Sequence, residues 1–290
     1  MANLKEVKSR IKTVKNIGQI THAMELVSAS KMRRAQTSAL GSRHYSATMD
    51  AVIASLAVKN KEAKHPLLRR HKEGKTLLIL IGPDKGLAGA LVANLSKRLL
   101  AFVDKHGETD MVTFGRRPRD LALKLGFNVV AEFDNVEKPL LADALPASEI
   151  AISGFVSRSY SKVFVMLTHF VSTLVQKPVA RQILPITEHI MLLDHGLTEG
   201  EELSLEDADY LMEPSSEAVL AALLPRFVQT KIYQSLLEAL ASEHSSRMIA
   251  MKNASDNAGE LKDNLTLTYN QLRQASITRE VAEISAGANI

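Results

Sequence analysis

The stretch LEALASEHSSRMIAMKNASDNAGELKDNLTLTYNQL, residues 237–272, decides the fold of this chain. Its apolar and small residues recur at steps of three and four, which is the period of a coiled coil. No Pro follows Pro225, so we predict a helix that continues to the end of the chain. Pro225 itself predicts either a kink or a break after a short helix at 215–224. The predicted stripe consists of Leu237, Leu240, His244, Met248, Met251, Ala254, Ala258, Leu261, Leu265, Tyr269 and Leu272.

The other end of the chain predicts a second long helix. Residues 2–60 contain no Pro, and their apolar residues follow the same helical steps. Two helices with one narrow apolar stripe each can bury those stripes against each other if the intervening chain turns back. We therefore predict that 1–60 and 214–290 pair antiparallel as one rod, brought close by Ala23, Ser28, Ala29, Ala254 and Ala258. The N-terminal stripe consists of Leu4, Val7, Ile11, Val14, Ile17, Ile20, Met24 and Val27.

The middle of the chain changes its hydrophobic period. Strands are predicted at 75–81, 111–114, 127–133, 162–172 and 179–187, and helices at 88–103, 118–125 and 140–158. This alternation is typical of a parallel or mixed sheet with flanking helices. The predicted fold class is therefore α/β, with a long antiparallel coiled coil of the terminal helices and a small Rossmann-like α/β domain at 74–200.

Charge is unevenly distributed, although the net charge is only +4. The first 72 residues carry 15 Lys and Arg against 4 Asp and Glu, whereas the remainder carries 21 against 28. The basic segment favours an acidic partner, which can be a nucleic acid, an anionic lipid or an acidic protein surface. The segment 198–217, predicted as a loop, has no Lys or Arg but contains Glu199, Glu201, Glu202, Glu206, Asp207, Asp209, Glu213 and Glu217.

No group of residues predicts a catalytic centre, and we expect no cofactor and no metal. The absence of Cys excludes thiolate metal sites and Cys nucleophiles. The turn GPDKGLAGA at 82–90 follows a strand and precedes a helix, but it lacks the GK[ST] of a P-loop and the spacing of GxGxxG. We predict a tight turn that needs Gly86 and Gly89 for backbone reasons, with nucleotide binding as the alternative.

Segments at both ends of the chain resemble the γ subunit of F-type ATP synthases. GQITHAMELVSASKMRRAQ at 18–36 is similar to the N-terminal signature of that family, and residues 247–288 are similar to its C-terminal signature. GPDKGLAGAL at 82–91 resembles the turn after the family's first strand. The order and spacing of these segments extend the resemblance over essentially the whole chain.

The resemblance implies a rotating, non-catalytic central stalk that couples ion flow through the membrane sector to ATP synthesis or hydrolysis. Its expected partners are a hexamer of α and β subunits, the ε subunit and the ring of c subunits, with δ reached only indirectly. It implies no nucleic acid. The Met1 start without a signal peptide fits a peripheral subunit at the cytoplasmic face of a bacterial inner membrane.

The family motifs also imply contact residues. Near the base of the hexamer, acidic loops of β would meet Met24 and the basic run that includes Lys31, Arg33 and Arg34. Higher in the hexamer, the contacts would be Arg273, Gln274, Thr278 and Glu280, and an apolar collar would surround the tip from Ile284 onward. Tyr210 and Glu213 would belong to the foot on the c-ring. Without the resemblance, a coiled-coil adaptor or a nucleic-acid-binding scaffold is the alternative.

Overall fold

The computed structural model describes residues 4–59, 65–187, 213 and 215–287. The chain divides into two compact units, one formed by Met1–Ser30 with Arg247–Ile290 and the other by Lys31–Ser246. Two long helices contribute to both units, α1 at Leu4–Lys59 and α5 at Ser216–Gly287. None of the described helices combines the length and the hydrophobicity that crossing a lipid bilayer requires.

In the first unit, the beginning of α1 packs closely against α5. A Cβ built on Gly18 would lie 3.4 Å from the Ala258 Cβ, and the Ser255 hydroxyl donates a 3.4 Å hydrogen bond to the Gly18 carbonyl. In the second unit, Asp50 of α1 pairs with Lys231 of α5. Residue numbers therefore rise along one helix as they fall along the other, which confirms the predicted antiparallel pairing.

The buried stripe of α1 departs from the predicted one at Ile17. Ile17, Ile20 and Val27 are 47%, 59% and 55% exposed. The predicted stripe took two successive steps of three before Ile17, which rotates it off one face of a helix with about 3.6 residues per turn. The observed stripe alternates steps of four and three through Gly18, Thr21, Glu25 and Ser28, and the predicted Met24 beside Glu25 is also half-buried.

The stripe of α5 agrees with the prediction except at one position. Leu261 is 49% exposed, and the neighbouring Lys262 is half-buried instead. Ala23, which was expected between the helices, is exposed, whereas Ala254 and Ala258 are half-buried and buried. α5 also continues through Pro225. A Pro removes one helical hydrogen bond, but Leu224 and Phe227 on either side are fully buried and anchor both halves of the helix.

The middle of the second unit is a five-stranded sheet. Its elements are a short 3₁₀ helix at Pro66–Leu68, β1 at Lys75–Ile81, α2 at Leu91–His106, β2 at Thr109–Phe114, α3 at Arg116–Lys124, β3 at Asn128–Phe133, α4 at Leu141–Val156, β4 at Tyr160–Phe170 and β5 at Gln176–Leu184. The strand order is β3-β2-β1-β4-β5. β1 pairs in parallel with β2 and β4, and β5 pairs antiparallel with β4. The predicted mixed α/β sheet is therefore confirmed.

The central strands β1 and β2 are buried on both faces of the sheet, and alternate residues of each strand point to opposite faces. Leu77 and Ile79 belong to a core that includes residues of α1, α4 and α5. Leu78 and Leu80 belong to a second core with residues of α2 and α3. Double burial explains why β1 is a continuous apolar run rather than an alternating one.

Candidate functional site

The basic residues of α1 that were predicted to contact partners have different environments. Met32 is only 8% exposed because it lies on the buried stripe, whereas Arg33 and Arg34 are exposed. Within the described part of the chain, neither guanidinium forms an ion pair, although the charge of Arg34 acts on the Glu137 carboxyl. Both can therefore bind an acidic surface outside the chain without first breaking an internal ion pair. Met24, in the first unit, is half-buried.

Lys31 does have an internal partner. Its ammonium nitrogen lies 2.6 Å from Glu137 Oε1, in the loop between β3 and α4. The hydrogen bond and charge of Lys31 hold the pKa of the Glu137 carboxyl below its ordinary value, and Arg34 and His244 act in the same direction. The pair lies beside a cleft of about 560 Å³ between α1, α5 and this loop, and the lining side chains include Arg34, Tyr233, Leu237 and His244.

The predicted C-terminal contact residues lie on the last turns of α5. Arg273, Gln274, Thr278 and Glu280 are all exposed, and Glu280 accepts a 3.3 Å hydrogen bond from the Ser276 hydroxyl. Beyond Ser276, every side chain described on α5 is exposed. An apolar stripe on these turns is open to solvent, with Ile277, Val281 and Ile284 51%, 56% and 72% exposed. Two further contact residues were predicted for the foot on the c-ring. Of these, Glu213 is exposed, and Tyr210 lies outside the described residues.

The turn at 82–90 is held by internal hydrogen bonds. Asp84 accepts a 2.9 Å bond from the Arg116 backbone N–H, and the Ala88 carbonyl accepts a 2.7 Å bond from the Ser246 hydroxyl. Gly89 has φ +57°, as predicted, but the second left-handed residue is Leu87 at +62° rather than Gly86. Among the described side chains, no group of three or more His, Asp or Glu is placed to hold a metal ion.

A set of buried charges that the sequence did not predict lies at the junction of α1, α5 and the sheet. Lys231 lies 2.8 Å from Asp50, and Glu238 lies 2.7 Å from His169 Nδ1 and 3.2 Å from Arg181. The available signal was a carboxylate inside an apolar stretch, since Glu238 stands between Leu237 and Ala239. These ionic contacts fix α5 against both α1 and the sheet.

The whole chain matches known proteins. The family described as ATP synthase matches residues 3–290. The ATP synthase gamma chain of Herpetosiphon aurantiacus is 44% identical, with 99% of this chain and 98% of the relative covered. That of Chloroflexus aurantiacus is 42% identical with the same coverage.

Solved structures share the fold at low sequence identity. A chain from the Euglena gracilis mitochondrial ATP synthase, in an OSCP/F1/c-ring structure, has a TM-score of 0.65 at 15% identity, with 99% of this chain and 93% of that chain covered. A chain from the central stalk and c-ring of the Tetrahymena thermophila enzyme has a TM-score of 0.60 at 21% identity, with coverage of 81% and 99%. With whole-length relatives above 40% identity, the chain belongs to the ATP synthase gamma chain family.

Proposed function

We propose that this chain is the rotating central stalk of an ATP synthase, which couples ion flow through the membrane sector to ATP synthesis or hydrolysis at a hexamer of α and β subunits. A gamma chain is a subunit of an ATPase complex and has no catalytic site of its own. The family assignment does not favour the alternative of a coiled-coil adaptor or a nucleic-acid-binding scaffold. The observation that carries the proposal is the antiparallel pairing of α1 with α5.

The helix pair suits this role because it lacks threefold symmetry. Two paired helices have no threefold axis, so they present a different face to each of several equivalent sites around them. Turning the pair changes which site meets which face, and differential contacts of this kind are what shift conformational equilibria. One charge crossing 100 mV yields only about 2.3 kcal/mol. The free energy of several ion steps must therefore be added together for each ATP. Transmitting that free energy to the hexamer requires a stiff element.

The basic residues of α1 are proposed to meet acidic loops of β. Arg33 and Arg34 are the main contacts because both are exposed and neither forms an ion pair among the described residues. Lys31 contributes more weakly because Glu137 already binds its ammonium group. Electrostatic attraction acts over distance and tolerates rotation better than close apolar packing does. Met24 would contact the same loops.

The end of α5 is proposed to reach deeper into the hexamer. Arg273, Gln274, Thr278 and Glu280 are exposed and polar, which suits hydrogen bonds to loops that are met once per turn. The exposed stripe of Ile277, Val281 and Ile284 would lie in an apolar collar. Such a collar would guide the tip without specific bonds that resist rotation.

The remaining partners follow from the same role. Tyr210 and Glu213 would belong to a foot that rests on the c-ring, the ε subunit would bind the stalk, and δ would be reached only indirectly. The chain would thus be attached to the membrane peripherally, through the c-ring. We place it at the cytoplasmic face of a bacterial inner membrane, consistent with the bacterial relatives.

Affinity purification of the full chain from its own cells tests the proposal. We expect α, β, ε and c subunits to co-purify, with one copy of this chain per hexamer of α and β. Recovery of nucleic acid with a steep salt dependence, and without α or β, would support the scaffold alternative instead. A copy number of this chain equal to that of α would also contradict a single central stalk.

A further inference from the structure

A basic groove lies on the side of the sheet covered by α2, away from the α1 residues discussed above. It has a volume of about 1170 Å³ and runs between the segment before β1, the end of α2, the start of β4 and the end of β5. Five exposed cationic side chains line it, and we call it the α2 groove: Arg70, Lys72, Arg98, Lys105 and Lys162.

The described residues of the α2 groove do not balance its positive charge. None of the described lining residues is Asp or Glu, and none of the five cationic groups has an ion-pair partner in the described parts of the chain. Arg181 also borders the groove, but its guanidinium binds Glu238. Like charges gathered in a concavity repel one another, so the groove is stabilised by any anion that enters it.

The pKa of His106 depends on the positive charges in the groove. Its ring stacks on Phe102 at 4.2 Å and lies 4.7 Å from Phe164. Burial lowers the pKa of His106, and the charges of Lys162 and Lys105 lower it further. An anion bound between these lysines would offset their charges and favour the protonated imidazole.

We propose that the α2 groove binds a phosphate-bearing anion, either a soluble polyphosphate or the headgroup of an anionic phospholipid. Guanidinium groups bind phosphate through paired hydrogen bonds, and ammonium groups act as point charges for it. An acidic protein surface fits the groove less well, because protein–protein interfaces are depleted of Lys and this groove has three.

Isothermal titration of the full chain with tripolyphosphate, at physiological ionic strength, tests the proposal. We expect saturable binding, weakened about tenfold or more by R98E/K162E, because charge-assisted contacts to phosphate are lost. The matched control K97E/K124E makes the same charge change at exposed residues outside the groove and should bind as the wild type does. The neutral variant R98Q/K162Q, checked by circular dichroism, covers the case in which the reversed variant fails to fold.

NMR titration of the histidines provides a second readout. Tripolyphosphate should raise the pKa of His106 in the wild type. Vesicle flotation distinguishes the two sources. Binding to phosphatidylglycerol vesicles, but not to phosphatidylcholine vesicles, with weak binding of tripolyphosphate assigns the groove to a lipid headgroup. The opposite pattern assigns it to a soluble phosphate.

Two results would overturn the proposal. One is the absence of saturable binding to both probes. The other is equal weakening by R98E/K162E and K97E/K124E, which would show that only net charge matters. If R98E/K162E bound both probes normally but failed to assemble with the other ATP synthase subunits, the groove would be a site for an acidic protein instead.

Discussion

The Lys231 ammonium nitrogen lies 2.8 Å from Asp50 Oδ2, and the two side chains are only 11% and 3% exposed. The pair links α1 to α5, so removing one member takes this ion pair away from a charge that is buried in the protein. We expect Lys231→Met to lower the free energy of unfolding by about 3–5 kcal/mol. Urea denaturation followed by circular dichroism measures this loss.

The double variant Asp50→Leu/Lys231→Met is the control for that substitution. Replacing both charges with apolar side chains leaves neither charge of this pair buried, so the double variant should regain most of the lost stability. If the single and double variants were equally destabilised, packing volume rather than charge would explain the effect.

The Lys31–Glu137 pair predicts a specific pH dependence. Lys31 lowers the pKa of Glu137 in the folded chain relative to the unfolded chain. The stabilisation from the pair is therefore present above the unfolded pKa and is lost as the pH falls through the lowered folded value. Lys31→Met should raise the pKa of Glu137 towards its ordinary value, as measured by carboxyl carbon NMR.

Lys138→Met is a matched control, because it removes the adjacent exposed Lys, for which no ion pair occurs among the described residues. It should change the pKa of Glu137 much less than Lys31→Met does. Since Glu137 is 61% exposed, neither variant should change the melting temperature much. An equal pKa shift in both variants would argue against a specific Lys31–Glu137 contact.

Two glycines in helices should respond in opposite ways to substitution with Ala. A Cβ at Gly259 of α5 would meet no atom within 4 Å, so Gly259→Ala should stabilise the first unit by about 1 kcal/mol through helix propensity. A Cβ at Gly154 of α4 would overlap the ring of Tyr160, which is only 8% exposed. Gly154→Ala should cost about 1–3 kcal/mol. Thermal denaturation of both variants tests the pair, and destabilisation by Gly259→Ala would mean that α5 is packed more closely there.

The proposed role of α1 predicts loss of coupling without loss of stability. The reversal Arg33→Glu/Arg34→Glu should reduce ATP-driven ion pumping in membrane vesicles about tenfold, because like-charge contacts at an interface cost several kcal/mol. Both residues are exposed, so the melting temperature of the isolated chain should stay the same. The control Lys97→Glu/Lys124→Glu carries the same charge change on α2 and α3 and should pump normally. Equal losses of stability and pumping would refute the functional role of the two arginines.

The sequence by itself determined the kinds of elements and their order. Apolar residues at helical steps of three and four, in segments without Pro, predicted α1 and most of α5. The apolar run at 75–81 predicted β1 with its observed bounds. These signals are local, because residues one helical turn or one strand repeat apart report the same face. The family signatures could also be recognised from the sequence alone, because each is a continuous segment of the chain.

Only the tertiary structure decided which residues meet. The buried stripe passes through Gly18 rather than Ile17, and α5 approaches so closely there that a Cβ built on Gly18 would lie 3.4 Å from the Ala258 Cβ. Asp50 and Lys231 lie 181 residues apart, and the five cationic residues of the α2 groove come from three separate segments, which are the stretch before β1, α2 and β4. Hydrophobic periodicity encodes the face that a residue occupies, but the partner of that face depends on how distant segments pack. Contacts between distant charges are therefore set by the folded chain and leave no periodic signal in the sequence.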